Sequence, residues 1–396
     1  MMQISPETQL FIREHSSDDV RVLALQAKKY PDIDMPTVIT QIAGRKVAAE
    51  KIPSWWEIEK IWYPKHLSLE QCSSEITARY KARLLQGDSL TDLTGGFGID
   101  CSFLATGFKS ATYVERQEEL CEIAAHNFPV LNLNHINIKN EDGVTYLQVM
   151  SPVDCLFLDP ARRNEHGGKT VAISDCEPNV AELEELLLQK ANRVMIKLSP
   201  MLDLSLALKE LKQTQEVHIL SVNNECKELL ILLGQTSPAE ISIHCVNLFT
   251  KGTQKEQHFV FTREQEQCSE CTYTDSLETY LYEPNASLLK AGAFRSIAAA
   301  YPVRKLHPNS HLYTSDTFIE NFPGRIFRIV NQCSFNKKEV KENLADLKKA
   351  NVTVRNFPAT VAELRKRIHL AEGGDTYLFA STLNNGQKVL IRCEKV

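Results

Sequence analysis

The sequence predicts an α/β protein built around a doubly wound, mostly parallel β-sheet. Three observations lead to this fold class: a strand, glycine turn and helix begin at Asp92, short apolar strands alternate with amphipathic helices from there to about residue 233, and several strands end on a polar side chain. Ligands of such sheets bind outside the carboxyl ends of the strands. We therefore expect a functional site at that edge.

Residues 1–86 are predicted to form a helical cap on this sheet. Apolar residues recur at helical spacing between residues 10 and 48 and are interrupted by prolines. Ser68 and Gln71 have the spacing of a capping-box variant, which predicts one helix from Ser68 through Leu85.

The glycine turn is Asp92-Leu-Thr-Gly-Gly-Phe-Gly98, followed by a predicted helix over residues 100–106. Glycine has no Cβ and tolerates positive φ, so such a turn lets the backbone approach a ligand closely. A dinucleotide-binding fingerprint would need a further glycine where Cys101 stands. A nicotinamide site is therefore disfavoured.

The later strands end on polar groups in turn. The second strand, residues 111–114, ends at Glu115, where an acid can accept hydrogen bonds from ribose hydroxyls. The third, residues 136–138, leads to Asp142, whose carboxylate could accept a hydrogen bond from the exocyclic amine of a purine. The fourth is apolar throughout, like a central parallel strand, and stops at Asp159. Strands five to seven are predicted at residues 193–196, 217–222 and 229–233, with a hairpin loop over residues 223–228.

Together, Asp92-Leu-Thr-Gly-Gly-Phe-Gly98, Tyr113-Val-Glu-Arg116, Asp142-Gly143 and Leu158-Asp-Pro-Ala-Arg-Arg163 resemble class I S-adenosylmethionine-dependent methyltransferases, and in particular a bacterial branch with a C-terminal THUMP-like domain. The resemblance implies a Rossmann-like seven-stranded sheet and S-adenosyl-L-methionine as cofactor. It places Gly95, Gly96 and Gly98 against the methionine part, Glu115 at the ribose and Asp142 at the adenine. The other implied cofactor-binding residues are Gln71, Ser74, Asp92, Thr94, Arg116 and Gly143. The implied catalytic residues are Asp159, Pro160, Ala161 and Arg162.

The residues of this last motif limit which atoms of a substrate could be methylated. The Asp159 side chain and the Pro160 carbonyl could accept hydrogen bonds from an exocyclic amine. Adenine methyltransferases of this type usually carry an aromatic residue where this chain has Arg162, and this difference weakens an adenine assignment. Carbon methylation of uracil needs a cysteine after strand five, but Lys197-Leu-Ser-Pro200 stands there. Amine methylation of guanine, or another N-methylation, remains.

The basic residues nearby favour a nucleic-acid target. Arg162 and Arg163 at the end of a central strand suggest contact with phosphate or base, although paired arginines are also common on solvated surfaces. The polar loop over residues 164–169 is predicted to grip or gate the substrate.

The C-terminal third is predicted to contain two modules. The first is a small α+β domain at residues 239–324, with a helix over residues 287–300. The second is a ferredoxin-like module at residues 325–396 with the element order β-α-β-α-β-β, in which Asn385-Gly386 forms a hairpin turn. Residues 321–370 carry eleven basic and four acidic side chains on a chain of net charge −5. This local excess, with the THUMP-like resemblance, favours RNA binding over a solvated charged surface.

The sequence therefore predicts a cytoplasmic methyltransferase, with residues 87–238 as the catalytic domain, acting on a base in tRNA or rRNA. The alternatives are a DNA, protein or small-molecule substrate, or a non-catalytic RNA-binding protein with a vestigial pocket. Neither a membrane-spanning apolar run nor a signal peptide is expected. No metal site is expected, because the histidines are dispersed and Cys268 and Cys271 are interpreted as unrelated thiols. The oligomeric state stays open.

Overall fold

The computed structural model describes residues 4–162 and 172–396 of the 396-residue chain. These form two compact units. The first comprises Met1–Gln215 with Leu229–Pro238, and the second comprises Glu216–Glu228 with Ala239–Val396. The boundary crosses two consecutive strands, so each unit contains part of both.

The predicted helical cap is present in the first unit, with α1 (Pro6–Glu14), α2 (Val20–Leu25), α3 (Met35–Lys51), α4 (Pro53–Trp56), α5 (His66–Gln71) and α6 (Glu75–Ala82). The side chains of Ser5, Asp19 and Asp34 cap α1, α2 and α3 by accepting hydrogen bonds from backbone N–H groups.

The single helix predicted from Ser68 through Leu85 is wrong. Ser68 lies inside α5 and does not cap it, and the chain is extended at Cys72 and Ser74 before α6 begins. The break has a consequence for the site, because it turns Ser73 into the protein interior, where it is 4 % exposed.

The cap packs against the glycine turn through apolar side chains. Trp55 of α4 is buried and meets the ring of Phe97 edge-on, with ring centroids 5.2 Å apart. Ile52 and Tyr63 belong to the same cluster, which also takes in Ile99. The position of the glycine turn is thus set by the cap as well as by the sheet.

The parallel sheet of the first unit follows the prediction closely. The first nine strands of the chain are β1 (Ser89–Asp92), β2 (Ser110–Glu115), β3 (Ile136–Asn140), β4 (Val153–Leu158), β5 (Ala161–Arg162), β6 (Cys176–Glu177), β7 (Ala191–Leu198), β8 (Thr214–Val222) and β9 (Glu225–Gly234), of which β5 and β6 form a separate two-stranded sheet. The parallel strands run in the order β3-β2-β1-β4-β7, and residues 229–234 of β9 lie antiparallel beside β7. The helices between them are α7 (Ile99–Ala105), α8 (Glu118–Val130), α9 (Gly143–Val149), α10 (Val180–Lys190) and α11 (Leu204–Glu210).

The turn between β8 and β9 is tighter than predicted. It consists of Asn223 and Asn224, both with positive φ (50° and 69°), and β9 begins immediately afterwards. Two left-handed residues match the twist of a two-residue hairpin, and asparagine tolerates that conformation. The predicted hairpin is therefore confirmed, but its loop has two residues and does not extend over residues 223–228.

The second unit contains two strands that were not among the seven predicted strands. These are β10 (Ser242–Leu248), which is parallel to β8, and β11 (Glu256–Thr262), which is antiparallel to β10. All seven predicted strands are present, and these two extend the arrangement beyond the expected seven.

The rest of the second unit forms a sheet in the order β13-β14-β12-β15-β18-β17-β16. The predicted β-α-β-α-β-β order of its last part is confirmed, but the helix predicted over residues 287–300 is interrupted at Gly292, which has φ +77°. The bounds are α12 (Arg263–Cys268), β12 (Tyr280–Pro284), α13 (Ala286–Ala291), α14 (Ser296–Ala300), β13 (Arg304–Lys305), β14 (Tyr313–Ser315), β15 (Gly324–Ser334), α15 (Lys337–Leu344), β16 (Lys349–Val354), α16 (Val361–Ile368), β17 (Ala371–Thr382) and β18 (Lys388–Lys395).

Within residues 4–162 and 172–396, no helix has the length and apolar character needed to cross a membrane. All eleven cysteines are free thiols.

Gly44, in the middle of α3, provides a test of the cap packing. Helix propensity alone favours alanine there by about 1 kcal/mol. A Cβ at Gly44 would lie 2.4 Å from Cβ of Tyr63, and two hydrogen bonds of 2.9 Å between Gln41 and the Tyr63 backbone hinder its movement. We expect Gly44→Ala to destabilise the protein by about 1–3 kcal/mol in chemical denaturation. Gly107→Ala is the control, because its Cβ would meet nothing closer than 3.7 Å; equal stability of the two variants would contradict this packing.

Candidate active site

Three acidic side chains meet the carboxyl edge of the parallel sheet. Asp92 is the last residue of β1, Glu115 is the last residue of β2, and Asp159 follows β4 directly. Because these strands are parallel neighbours, their carboxyl ends lie side by side. The sequence pattern therefore does bring these three acids to one edge.

Each of the three glycines in the turn is required for a different structural reason. A Cβ at Gly95 would lie 2.2 Å from the Tyr113 ring, so packing excludes a side chain there. Gly98 has φ +85° and its Cβ would lie 3.1 Å from Phe128. Gly96 has φ +55°, and its Cβ would meet only the Thr94 carbonyl at 3.8 Å. The backbone around Gly96 is thus the open part of the turn.

Asp92 is the most unusual acid of the set. Its side chain is 1 % exposed, and Oδ1 accepts the backbone N–H of Thr94 at 3.0 Å, while Oδ2 has no hydrogen-bond partner among the described residues. Burial raises the pKa of Asp92 to about 8, and the nearby acids Asp100 and Asp159 add to this effect. A buried carboxyl with an unused oxygen is able to bind a polar group of a ligand.

Glu115 is held in place by the backbone of two turns. Its Oε2 accepts the N–H of Gly96 at 2.9 Å, and its Oε1 accepts the N–H of Gln117 at 2.8 Å. The carboxylate is therefore fixed directly beside the open part of the glycine turn. The neighbouring Arg116 is exposed and forms an ion pair of 3.5 Å with Glu177.

Asp142 and Gly143 stand at the start of α9. Asp142 caps the helix, since Oδ1 accepts the N–H groups of Val144 and Thr145 at 3.1 and 2.9 Å. A Cβ at Gly143 would lie 2.1 Å from the Leu93 carbonyl oxygen, so glycine is needed for the close approach of α9 to the end of β1.

A cluster of buried charged side chains lies next to Asp159. It was not predicted from the sequence. Asp100, near the start of α7, forms ion pairs with Lys81 at 2.9 Å and with Lys197 at 3.3 Å. The hydroxyl of Ser73 donates to Asp100 at 2.7 Å and accepts from Lys81 at 2.8 Å. Lys81 is completely buried. We call these residues, with Asp159, the charge cluster.

Lys197 connects this buried group to the predicted catalytic acid. Its ammonium forms a short ion pair with Oδ2 of Asp159, whose side chain is about one-third exposed (36 %). Burial disfavours a charge on Asp100, but the ammonium groups of Lys81 and Lys197 outweigh it and lower the pKa of Asp100. Among the residues that the structure describes, Oδ1 of Asp159 has no partner and stays available.

The sequence contained one indication of this cluster. Lys197 follows the predicted strand five, at the position where carbon methylation would require a cysteine. A lysine at the end of a strand, however, is usually a surface residue. Nothing in the sequence indicated that Lys81, in the last turn of α6, is buried.

The remaining predicted site residues are less closely grouped. Ser74 is half-buried and its hydroxyl lies 3.2 Å from that of Thr77, while Gln71 is exposed at the end of α5. Thr94 Oγ1 accepts the backbone N–H of Asp159 at 2.6 Å and so ties the glycine turn to β4.

After Asp159, Pro160 is buried and Ala161 is exposed in β5, where it pairs with Glu177. The backbone of Arg162 belongs to the same strand. The Arg162 side chain, Arg163 and the loop predicted over residues 164–169 lie outside the described residues.

The sheet order, the glycine turn after β1 and the acids at the ends of β1 and β2 define the fold as that of a class I S-adenosylmethionine-dependent methyltransferase. Two family models match the C-terminal part: a ferredoxin-like domain over residues 280–323 and a THUMP domain-like family over residues 324–395.

A crystal structure from Porphyromonas gingivalis W83, provisionally assigned as a methyltransferase, is similar over 100 % of both chains, with 34 % identity and a TM-score of 0.88. The chain therefore belongs to the family of this protein, the S-adenosylmethionine-dependent methyltransferases with a C-terminal THUMP-like domain.

Two further solved structures match only part of the chain. An rRNA methylase from Streptococcus thermophilus has 15 % identity, covers 40 % of this chain and 93 % of its own, and has a TM-score of 0.30. A provisionally assigned methyltransferase from Streptococcus mutans, solved with SAH, has 14 % identity, coverages of 40 % and 96 %, and a TM-score of 0.30. No curated protein matches the sequence significantly.

The raised pKa of Asp92 predicts a pH-dependent stability. Because the folded state holds this proton up to about pH 8, whereas an unfolded aspartic acid releases it near pH 4, unfolding is increasingly favoured as the pH rises between these values. Asp92→Asn cannot lose the proton. We expect the stability of Asp92→Asn relative to wild type to increase by at least about 1 kcal/mol between pH 5 and pH 8, measured by denaturant unfolding. Glu118→Gln, at an exposed acid, is the control, and a parallel pH dependence of wild type and Asp92→Asn would contradict a raised pKa.

Proposed function

We propose that this enzyme uses S-adenosyl-L-methionine, bound at the glycine turn, to methylate an amine nitrogen of a base in structured RNA such as tRNA or rRNA. The observation that supports an RNA substrate most strongly is a group of exposed lysines in the THUMP-like part of the chain. The cofactor and the nitrogen target are supported by the acids at the carboxyl edge of the sheet.

The residues at this edge fit the cofactor. Gly96 leaves open space, Glu115 is fixed beside it with two carboxylate oxygens in place, and Asp92 has an unused buried oxygen. Gly95 and Gly98 shape the turn, Glu115 would bind the ribose hydroxyls, and Asp142 would lie at the adenine. Ser74 and Gln71 would close over the methionine end, and Thr94, Arg116 and Gly143 would line the remaining wall.

The chemistry needs little more than positioning. The cofactor would supply a sulfonium methyl group, whose bond to sulfur breaks as the bond to nitrogen forms, and the nitrogen then releases its surplus proton to solvent. A nucleophile held in line needs no covalent catalysis for this transfer. Asp159 would accept an N–H bond of the target amine through Oδ1, while Lys197 holds Oδ2. The Pro160 carbonyl would accept a second N–H bond and so orient the nitrogen lone pair. Arg162 would contact the phosphate or base of the substrate.

The exposed lysines form what we call the lysine patch. They belong to α15, to the loop before β16, to the first residue of β16 and to α16, and none of them forms an ion pair with a residue in the described part of the chain. The patch consists of Lys337, Lys338, Lys341, Lys348, Lys349 and Lys366.

The arginines of the same segment are used differently. Arg325 and Arg355 both pair with the buried Glu283, the latter at 3.1 Å, and Arg328 pairs with Glu394 at 2.9 Å. Three arginine charges therefore face two carboxylates and are partly neutralised. The positive field that remains comes mainly from the lysine patch, together with the exposed Arg367.

The lysines of α15 partly repel one another. Lys337 and Lys341 are four residues apart and Lys338 and Lys341 three apart, so like charges share one face of the helix, while Glu342, four residues after Lys338, offsets part of the repulsion. Val340 and Leu344 anchor the helix in the core. A phosphate backbone along this face would relieve the repulsion and release counterions, which favours a nucleic acid as partner.

Methyl transfer is the direct test of the proposal. The wild-type enzyme is expected to transfer labelled methyl groups from S-adenosylmethionine to total RNA of a strain lacking this protein, whereas Asp159→Ala is expected to lose at least about 100-fold of the rate because the amine is no longer oriented. Nucleoside analysis of the product would identify the methylated atom.

Cofactor binding separates the alternatives. Glu115→Ala is expected to weaken S-adenosylmethionine binding in calorimetry, and Glu118→Ala, an exposed neighbouring acid, serves as control. Methylation of DNA or protein in place of RNA would reject the RNA proposal while keeping the enzyme class. A wild-type protein that releases no heat with the cofactor would instead favour a non-catalytic RNA-binding protein.

The lysine patch predicts a salt-dependent affinity for RNA. Replacing Lys337, Lys341 and Lys348 by alanine should weaken binding of a structured tRNA or rRNA fragment and reduce the slope of log affinity against log salt by about 0.7–0.9 for each lost phosphate contact. Fluorescence anisotropy over a range of salt concentrations measures both quantities. The control replaces Lys28, Lys29 and Lys209, which are equally exposed but lie outside the patch. If both triple variants changed binding equally, the patch would not be the RNA-binding surface.

A further inference from the structure

Ligand-type side chains gather on one face of β8 and β10, in the second unit. Glu216 and His218 are two residues apart on β8, so both project from the same face of the strand. His244 on β10 is the direct register partner of His218 in the parallel pair β8–β10. Two side chains at i and i+2 and a third on the neighbouring strand are thus placed to converge.

The distances support convergence. The Nε2 atom of His218 lies 3.2 Å from Oε2 of Glu216. One ring nitrogen of His244 lies within 4.8 Å of both of these atoms. Ligand atoms about 2.0–2.2 Å from a tetrahedral metal are separated by somewhat more than 3 Å, which is close to the spacing of these atoms.

His258 supplies a partner for the third ligand. Its Nε2 lies 3.2 Å from Nδ1 of His244, and it comes from β11, the next strand. Ligating histidines usually form a hydrogen bond with the ring nitrogen that does not bind the metal, and this bond fixes their tautomer and orientation. The bond from His258 would leave Nε2 of His244 for the metal.

We propose that Glu216, His218 and His244 bind a divalent transition-metal ion of the zinc class. Two imidazoles and a carboxylate suit Zn²⁺, Co²⁺ or Ni²⁺ better than the hard ions Mg²⁺ and Ca²⁺, which prefer oxygen ligands alone. The site is independent of the proposed methyl transfer, and it would fasten β8 to β10.

The surroundings allow an ion to enter. His218 is 2 % exposed, whereas about one-third (33 %) of the Glu216 side chain is accessible and His258 is exposed. Water can therefore complete the coordination from the accessible side. The rings of His218 and His244 are stacked with centroids 4.3 Å apart and planes 14° apart, so one ring must rotate about its Cβ–Cγ bond when the ion binds. This torsion has broad minima, and the rotation costs little.

Metal binding is measured on the full-length, tag-free protein after treatment with a chelator and dialysis. We expect one equivalent of Zn²⁺ in elemental analysis, and visible absorption bands of a low-coordinate ion with Co²⁺. Zn²⁺ should also raise the unfolding temperature in a concentration-dependent way, because the ion binds the folded state. Glu216→Gln and His244→Gln should each weaken Zn²⁺ binding at least about tenfold, the loss that even a second-shell change typically causes. Glu216→Gln replaces a partly exposed side chain, and its circular dichroism shows whether the fold is intact.

Two controls make the outcome decisive. His15→Gln removes a histidine far from this face in sequence and should leave binding unchanged. Cys268→Ser/Cys271→Ser removes the closely spaced thiols, which are the competing site for a zinc-class ion. The proposal is overturned if the wild type retains less than half an equivalent of Zn²⁺, if both ligand variants bind as tightly as wild type, or if binding disappears in the double cysteine variant.

Discussion

The candidate active site depends on the burial of Asp100 between two lysines. Moving a carboxylate and an ammonium out of water costs several kcal/mol for each ion, so such a group persists only when its charges and hydrogen bonds are matched. Lys81, Lys197 and the hydroxyl of Ser73 provide this match. Since Lys197 also contacts Asp159, the protein interior fixes the position of the acid at the end of β4.

This dependence explains the form of the cap. Ser73 reaches Asp100 because the chain is extended between α5 and α6, and Lys81 reaches it from the following helix. A continuous helix through residues 68–85 would not place Ser73 in the same way. The cap thus contributes polar groups to the carboxyl edge of the sheet in addition to its apolar packing against Phe97.

The sequence was sufficient for the sheet and for the acids at its edge. Continuous apolar runs such as Cys155–Leu158 and polar residues immediately after them are local patterns, and they predicted the strands and the positions of Asp92, Glu115 and Asp159. The charge cluster was not predictable in this way, because Ser73, Lys81, Asp100 and Lys197 are distant in sequence and each has an ordinary surface residue type. The helix break at Gly292 and the short turn at Asn223 depend on backbone conformations that many sequences adopt differently. The strands β10 and β11 are not among the seven predicted strands, and the pairing of β10 with β8 is a long-range contact that periodicity cannot reveal.

The pairing of β12 with β15 means that the two C-terminal family matches cannot be treated as separable parts. One match ends at residue 323 and the next begins at residue 324, yet Tyr280–Pro284 lies antiparallel to residues 324–328 within a single sheet. At Gly324 a Cβ would lie 2.1 Å from the Glu283 carbonyl oxygen, so the two segments touch through their backbones. A fragment cut at residue 324 would expose an unpaired strand edge, which is a template for aggregation. The sheet that contains β12 to β18 therefore has to be kept whole. A truncated protein must retain β12 together with residues 324–396.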